Sequence, residues 1–359
     1  MDFASNDYLG LATDARVAGA IARALRGGGS QVGIAGAAAS RSISGNHPLH
    51  EQLERELARL KGAEAALLFG SGFAGNTGAI PALAGRGDVV YSDALNHASI
   101  IDGCRLSRAT VRPFPHADLA VLGAMLAADG RHYRRRFIVV EGVYSMDGDL
   151  FPLEALVSLA HAHDAWIYLD DAHATGVLGA SGAGSAEHWE LAGEIEVTLG
   201  TLGKALGVSG AFVAGGATLR EFLLNCARSF IFTTAPPSAL AAGALAALAI
   251  SRAEPWRRER LRTHAAQLRE GLERLGGACD ARLPPGERPG HIVPLVLGGA
   301  ERTVRLGGRL AERGFLVGAV RPPTVPAGGS RLRITLSAAH TPEHIDALLA
   351  ALRDLLPGA

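Results

Sequence analysis

Short apolar runs recur along the larger part of the chain, separated by segments long enough to form helices. The runs are Ala65–Phe69, Val89–Tyr91, Phe137–Val140, Trp166–Leu169, Ile195–Leu199 and Ala211–Ala214. A continuous apolar run is typical of a strand that is buried on both faces. The alternation of such runs with helix-length segments predicts an α/β fold, in which a mostly parallel central sheet lies between helices.

Two helices can be placed from their end signals. Pro48 opens a leucine stripe and Gly62 closes it, so Lys61 is predicted to be a solvated residue beside the helix dipole. Ser238 is predicted to cap a buried helix over Ala239–Ile250. This apolar run is well short of the roughly 20 residues that cross a bilayer, so no membrane span is predicted.

The pattern changes after Ser251. Strands are predicted over His291–Leu297, Phe315–Val320 and Leu332–Leu336, with helices near Arg302–Arg313 and Thr341–Leu356. This part reads as a smaller C-terminal α+β domain. We therefore predict an N-terminal segment 1–45, a large domain 46–250 and a small domain 251–359.

Composition narrows the function classes. The 359 residues have a formal net charge of zero, whereas a nucleic-acid binder normally carries a basic surplus. Cys104, Cys226 and Cys279 form no CxxC pair, which argues against a disulfide framework or a structural zinc site and favours a reducing cytoplasm. No metal is predicted, and the first residues show no signal-peptide pattern.

Lysine is rare in this chain. Lys61 and Lys204 are the only two, and every other basic residue is an arginine. An arginine is always protonated, whereas a neutral lysine can form an imine. A lysine in such a sequence is therefore a candidate for chemistry that arginine cannot perform.

An acidic pair and a histidine follow one predicted strand, as Asp170-Asp171-Ala172-His173. A carboxylate at a strand end can keep the ring nitrogen of a pyridine cofactor protonated, so that the ring accepts electrons. Taken alone, the motif also fits a metal-ligand set or a satisfied polar cluster.

Lys204 lies in the segment Gly200–Gly207, after another predicted strand. Its glycines allow a tight turn, and an apolar pocket would favour the neutral amine that forms imines. The spacing of a P-loop is absent, because no GxxxxGK precedes a Ser or Thr. A solvated turn lysine is the alternative, and the rarity of lysine favours the chemical interpretation.

The segment Gly70–Gly75 satisfies GxGxxG after a predicted strand, with Asp93 about 20 residues further on. It is therefore a formal dinucleotide fingerprint, and a nicotinamide-dependent dehydrogenase is one alternative. The same helix N-terminus can bind any phosphate. A dehydrogenase would leave Lys204, Asp170 and His173 unexplained. His97 and Ser145 follow two other predicted strands, and neither is specific alone.

In combination, Tyr144–Gly148, Asp170–His173 and Gly200–Gly207 resemble the α-oxoamine synthases, which are fold-type-I enzymes dependent on pyridoxal 5'-phosphate (PLP). The resemblance runs from Asn6 to His340. It implies a PLP-dependent transferase fold, an acyltransferase activity that condenses an amino acid with an acyl thioester, and a homodimer with shared sites.

The resemblance also implies site residues. Lys204 would carry the cofactor as a Schiff base and act as acid and base, with Asp170 on the ring nitrogen and His97 stacked on the ring. His173 and Ser145 would contact the phenolic oxygen. Further cofactor contacts would come from Gly72, Phe73 and Thr201. The neighbouring subunit's Thr233 and Thr234 would contact the phosphate. The substrate would be bound by Asn6, His97, Thr324 and Arg333.

Within the family, Arg321–Gly328 and Ala227–Thr234 are most similar to members that join L-alanine to a pimeloyl thioester in biotin biosynthesis. Members that join glycine to acetyl-CoA remain an alternative, and the acyl donor is either a carrier protein or coenzyme A. Family members usually carry a helical arm ahead of the Asn6–Gly10 segment. We therefore expect either a longer native start or a different acyl site.

Overall fold

The computed structural model describes residues 1–26, 35–130, 132–276, 283 and 289–356. The strands are β1 (Asp2–Phe3), β2 (Ala65–Phe69), β3 (Val89–Asp93), β4 (Thr110–Phe114), β5 (Arg136–Glu141), β6 (Trp166–Asp170), β7 (Val197–Thr201), β8 (Ala211–Gly215), β9 (Ile292–Gly298), β10 (Leu316–Val320) and β11 (Ser330–Thr335). The sequence position Cys279 lies outside the described residues.

The helices are α1 (Ala15–Arg26), α2 (Pro48–Lys61), α3 (Gly72–Leu83), α4 (Ala98–Ser107), α5 (Leu119–Asp129), α6 (Leu153–Ala162), α7 (Ser185–His188), α8 (Ala217–Cys226), α9 (Arg228–Ile231), α10 (Ser238–Ala253), α11 (Trp256–Gly276), α12 (Ala300–Glu312) and α13 (Pro342–Leu355). A short π-helical segment covers Arg41–Gly45. The chain divides into a larger unit, Leu11–Val143 with Phe151–Ala253, and a smaller unit, Met1–Gly10 with Tyr144–Leu150 and Glu254–Ala359.

The larger unit is built on a mostly parallel sheet, as predicted. Within the described residues its seven strands have the order β2-β8-β7-β6-β5-β3-β4, and β8 alone runs antiparallel to its neighbours. The inner strands β3, β5 and β7 are buried along their whole length, which explains their largely apolar sequences. Helices α3, α4, α8 and α9 pack their apolar residues onto this sheet around Phe69, Ile80 and Phe230.

The smaller unit has a sheet of mixed direction. In the described part of the chain its order is β1-β10-β11-β9, with β1 parallel to β10 and the other pairs antiparallel. Helix α12 packs on this sheet, and α11 packs against α13. The predicted α+β character of this region is therefore confirmed, whereas the boundaries 1–45, 46–250 and 251–359 stay a prediction.

Three local predictions are wrong. Ser238 is the first residue of α10 rather than its cap. The strand predicted from Ile195 begins at Val197, because Glu196 instead accepts a hydrogen bond from the Ile167 N–H at 2.7 Å. Lys61 does end α2 before Gly62, but its side chain is buried rather than solvated.

Candidate active site

Four neighbouring parallel strands end at one edge of the large sheet. They are β7, β6, β5 and β3, and their last residues are Thr201, Asp170, Glu141 and Asp93. In open α/β sheets, ligands bind outside the carboxyl ends of strands. The side chains singled out in the sequence therefore lie where that rule expects a ligand.

Three of these strand ends, Thr201, Asp170 and Glu141, line a cavity of about 200 Å³. All of the predicted cofactor residues of the larger unit line it, namely Gly72, Phe73, His97, Asp170, His173, Thr201 and Lys204. The cavity is also lined by residues to which the sequence analysis gave no role, namely Asn76, Ser99, Glu141, Ala172 and Leu199. The structure thus brings together residues that are spread from position 72 to position 204.

A buried hydrogen-bond network fixes the Asp170 carboxylate. Asn76 Nδ2 donates to Asp170 Oδ2 at 2.7 Å, and the Ala172 N–H donates to Oδ1 at 3.1 Å. The Tyr168 hydroxyl in turn donates to Asn76 Oδ1 at 2.9 Å. Two donors thus fix both oxygens of the carboxylate in one orientation. Asp170 is therefore suited to hold a proton on a ring nitrogen.

His97 begins helix α4 as its N-cap. Its ring Nδ1 accepts a hydrogen bond from the Ser99 N–H at 3.2 Å and lies 2.7 Å from Ser99 Oγ. The backbone N–H of His97 donates to Glu141 Oε1 at 2.5 Å. Desolvation lowers the pKa of His97 and is the largest effect. The negative charge of Asp170 raises this pKa, and the positive charge of Lys204 lowers it. The ring is thus a neutral, fixed imidazole at the wall of the cavity.

Lys204 lies in a tight connection between β7 and β8. Gly207 has φ +65° and donates its N–H to the Lys204 carbonyl at 2.9 Å, while the Leu202 N–H donates to the Gly210 carbonyl at 2.9 Å. The Lys204 side chain is half-buried and lines the cavity beside Asp170. The loop therefore presents an amine to the same space as the carboxylate.

The N-terminus of α3 borders the cavity through Gly72 and Phe73. Ser71 caps this helix by accepting from the Ala74 N–H at 3.1 Å. A Cβ at Gly72 would lie 3.0 Å from Thr201 Cγ2, so glycine permits this close approach. A helix N-terminus beside a threonine is a suitable phosphate site.

The dinucleotide interpretation of Gly70–Gly75 is wrong. The strand before it, β2, lies at the sheet edge and pairs with antiparallel β8, whereas a dinucleotide fold needs a parallel βαβ unit there. Asp93 accepts hydrogen bonds from the Leu95 and Ala117 N–H groups at 2.8 and 2.9 Å, and so stabilises its own loop.

Three predicted site residues form a cluster in the smaller unit. Arg333 is buried and donates from Nη2 to Asn6 Oδ1 at 3.0 Å and from Nε to the Ser145 carbonyl at 2.5 Å. The Tyr8 hydroxyl also donates to Asn6 Oδ1 at 3.0 Å, and burial raises the pKa of Tyr8 to about 12. Thr324 is exposed between β10 and β11, and its N–H donates to the Arg321 carbonyl at 3.1 Å.

Residues 1–352 match the family model of aminotransferase class I and II. The chain belongs to this family. It is 48% identical over 355 residues to 8-amino-7-oxononanoate synthase of Alkalilimnicola ehrlichii, covering 99% of this chain and 88% of the relative. A relative of the same name in Geobacter sulfurreducens is 49% identical, over 97% of this chain and 86% of its own.

Solved structures agree with this assignment. Serine palmitoyltransferase from S. paucimobilis with a bound PLP–myriocin aldimine has a TM-score of 0.92 at 32% identity, covering 99% of this chain and 86% of that one. The crystal structure of 8-amino-7-oxononanoate synthase from Francisella tularensis has a TM-score of 0.83 at 28% identity, covering 99% and 97%. These findings confirm the predicted fold class, the enzyme class and the PLP cofactor of the family.

The cavity fits PLP. It offers a lysine amine, a buried carboxylate held by two donors, two imidazoles and a helix N-terminus beside a threonine. No helix in the described ranges combines the length and apolarity needed to cross a membrane.

Two of the five cavity residues without a predicted role, Glu141 and Asn76, have some signal in the sequence. Glu141 follows the run Phe137–Val140 at the carboxyl end of its strand, so the reasoning that selected Asp170 also applies to it. Asn76 lies inside α3, one helical turn after Gly72. That i to i+4 spacing places both on one helix face, which is a weak signal.

Proposed function

We propose that this chain catalyses the decarboxylative condensation of L-alanine with a pimeloyl thioester to give 8-amino-7-oxononanoate, a step of biotin biosynthesis in the cytoplasm. One observation carries the proposal: Lys204, Asp170, His97 and His173 line one cavity in a chain that is 48% identical to enzymes of that name. Identity to the serine palmitoyltransferase of S. paucimobilis is lower, at 32%, and the solved 8-amino-7-oxononanoate synthase of Francisella tularensis is 28% identical.

In this proposal Lys204 binds the cofactor covalently through Nζ and later moves the α-proton of the amino acid. PLP supplies an electron-accepting ring that stabilises negative charge at that carbon. Asp170 holds a proton on the ring nitrogen, and Asn76 Nδ2 and the Ala172 N–H fix the orientation of its carboxylate. General acid–base action of this kind typically accelerates a reaction by about 10²–10⁴-fold.

The remaining residues bind and orient. Thr201 and the N–H groups of Gly72 and Phe73 hold the phosphate, His97 lies against the ring, and His173 with Ser145 contacts the phenolic oxygen. Arg333 binds the amino-acid carboxylate through its guanidinium, with Asn6 and Thr324 as further substrate contacts. His97 or Lys204 returns the final proton.

We further propose a homodimer. Thr233 and Thr234 are exposed after α9, beside Phe232, which is 71% exposed. In a dimer they would reach the phosphate of the neighbouring subunit's site. The acyl group arrives on coenzyme A or on an acyl-carrier protein, and both donors belong in the test.

The test supplies purified protein and PLP with three substrate pairs: L-alanine with pimeloyl thioesters, glycine with acetyl-CoA, and L-serine with palmitoyl-CoA. Ketone product with the first pair supports the proposal, and product with only one of the others overturns the substrate assignment. Borohydride reduction and peptide mapping should mark Lys204. Lys61 is an internal control, because it is the only other lysine and is buried. A fully active Lys204→Ala variant would overturn the mechanism.

A further inference from the structure

Glu141 lies beside the proposed cofactor carboxylate without a role in the chemistry described so far. It is the last residue of β5, and its register partner on β6 is Asp170. Glu141 is 3% exposed and Asp170 is 5% exposed. Two carboxyl groups thus end neighbouring parallel strands in a nearly dry environment, and both line the cavity.

Glu141 fixes the start of helix α4. Its Oε1 accepts a hydrogen bond of 2.5 Å from the His97 N–H. His97 is the N-cap of α4, and its ring lines the same cavity. The position of the His97 ring therefore depends on a carboxyl group of the neighbouring strand.

Three charged groups and one backbone donor from other parts of the chain act on Glu141. Asp170 of β6 and Asp93 of β3 repel a negative charge on Glu141, whereas Lys204 and the His97 N–H at the start of α4 favour one. Burial is the largest effect, and together with the two aspartates it holds the pKa of Glu141 well above its usual range. Asp170 accepts from Asn76 Nδ2 and the Ala172 N–H, so it is the better place for a negative charge.

We propose that Glu141 is a positioning residue. Its carboxyl group is neutral and holds the backbone N–H of His97, so that the negative charge at these two strand ends resides on Asp170. The inference rests on the proposed function. Its chemical value concerns Lys204, because an anion at position 141 would stabilise the ammonium form, which cannot condense with an aldehyde. A neutral acid keeps the hydrogen bond to His97 without that effect.

The first test measures the proton directly. In the PLP-loaded enzyme with glutamate carboxyl groups labelled by ¹³C, the Glu141 resonance is assigned by its loss in Glu141→Gln or in Glu141→Asp. We expect the chemical shift of a protonated carboxyl group at pH 7, where an ordinary glutamate is ionised. A resonance that titrates near the ordinary glutamate range, about 4.3, would overturn the inference.

The second test compares variants. Glu141→Gln keeps a neutral side chain whose oxygen can accept the hydrogen bond from the His97 N–H. PLP affinity should therefore stay within about threefold, and the pH dependence of the bound cofactor's visible absorption should not change. Glu141→Ala removes the acceptor, and we expect at least a tenfold loss in kcat, which Glu141→Gln restores. A tenfold loss of PLP affinity in Glu141→Gln, or a shifted pH profile, contradicts the inference. Failure of borohydride to mark Lys204 in the wild type would instead overturn the proposed function.

Discussion

Lys61 Nζ lies 2.6 Å from Asp171 Oδ2, and both side chains are buried. Lys61 also donates to Thr175 Oγ1 at 2.9 Å and to the Ala183 carbonyl at 2.5 Å. Asp171 directly follows Asp170 and accepts from the Ser185 N–H at 3.1 Å. This ion pair therefore ties the end of α2 to the loop that follows Asp170 and carries His173.

Replacing Lys61 by methionine should destabilise the protein by about 3–5 kcal/mol, because it leaves the Asp171 carboxylate buried without its ion-pair partner. PLP affinity should fall as well, since the loop after β6 loses its anchor. Urea unfolding and a PLP titration measure the two effects.

The matched control is Arg59→Met, two residues earlier on the same helix. Arg59 is 71% exposed and pairs with Glu56, so its loss should cost no more than about 1 kcal/mol. Equal losses of unfolding free energy in the two variants would show that the buried ion pair stabilises the protein no more than the exposed one does. A stable Lys61→Met protein with unchanged PLP affinity would contradict the anchoring role.

Asn76 provides a second prediction. Asn76→Ala removes a donor from Asp170 and the acceptor of the Tyr168 hydroxyl, so we expect about 1–3 kcal/mol of destabilisation. PLP should bind about tenfold more weakly, because the Asp170 carboxylate loses the hydrogen bond that orients it. Visible absorption during a PLP titration reports the affinity.

Thr77→Ala is the control for Asn76, since Thr77 is the next residue of α3 and its hydroxyl bonds back to the Phe73 carbonyl. Its PLP affinity should match that of the wild type. If both variants bind PLP equally well, Asn76 does not orient Asp170.

The sequence could predict an element or a site residue where burial determines its local pattern, but not where a partner distant in the sequence determines its environment. β6 could be predicted from Trp166–Leu169 because a strand buried on both faces is a continuous apolar run. The edge strand β4 was missed, since its residues are mostly exposed and include Pro113, which an edge position tolerates.

The same distinction applies to the site. Asp170 and Lys204 follow strands in local motifs, so the sequence could select them. The environment of Lys61 depends on Asp171, 110 positions away, and a helix-ending lysine is ordinarily solvated. Asn76 acts through Tyr168 and Asp170, and nothing adjacent to it in the sequence reveals those partners.

The third prediction concerns pH. His50 is buried, its Nδ1 accepts from the His47 N–H at 3.2 Å, and its Nε2 lies 2.9 Å from the Pro236 carbonyl. The neutral ring satisfies both contacts, whereas a proton on Nδ1 would face an N–H group. Burial, with the Arg41 charge, lowers the pKa of His50 to about 4. Burial also lowers the pKa of His340, which makes the same kinds of contact with the Ser337 N–H and the Asp2 carbonyl.

A histidine whose pKa is lowered by folding binds its proton more readily in the unfolded chain, so stability falls as the pH drops below about 6.5. For His50 the loss grows until about pH 4, and it reaches about 2 kcal/mol at pH 5. Urea unfolding at pH 7.5 and pH 5 measures this slope. His50→Gln should flatten it, while His161→Gln, at a histidine that is 59% exposed, should not. An unchanged slope in His50→Gln would contradict the assignment.

The fourth prediction compares two glycines in the left-handed region. Gly207 has φ +65° in the Lys204 loop, and Gly62 has φ +63° after α2. A Cβ at Gly207 would lie 2.6 Å from the Leu11 carbonyl carbon and would also overlap Ala12 N, whereas a Cβ at Gly62 meets nothing within 4 Å. Alanine therefore brings backbone strain at both positions and a steric clash only at Gly207.

Gly62→Ala should cost about 1–2 kcal/mol, which is the strain of a non-glycine residue in this conformation. Gly207→Ala should cost a further 1–3 kcal/mol or so for the overlap with backbone that cannot rotate away. The clash also moves the turn whose N–H bonds to the Lys204 carbonyl, so borohydride labelling of Lys204 should fall in Gly207→Ala and stay at the wild-type level in Gly62→Ala. Equal destabilisation with equal labelling would mean that the loop can shift without displacing the lysine.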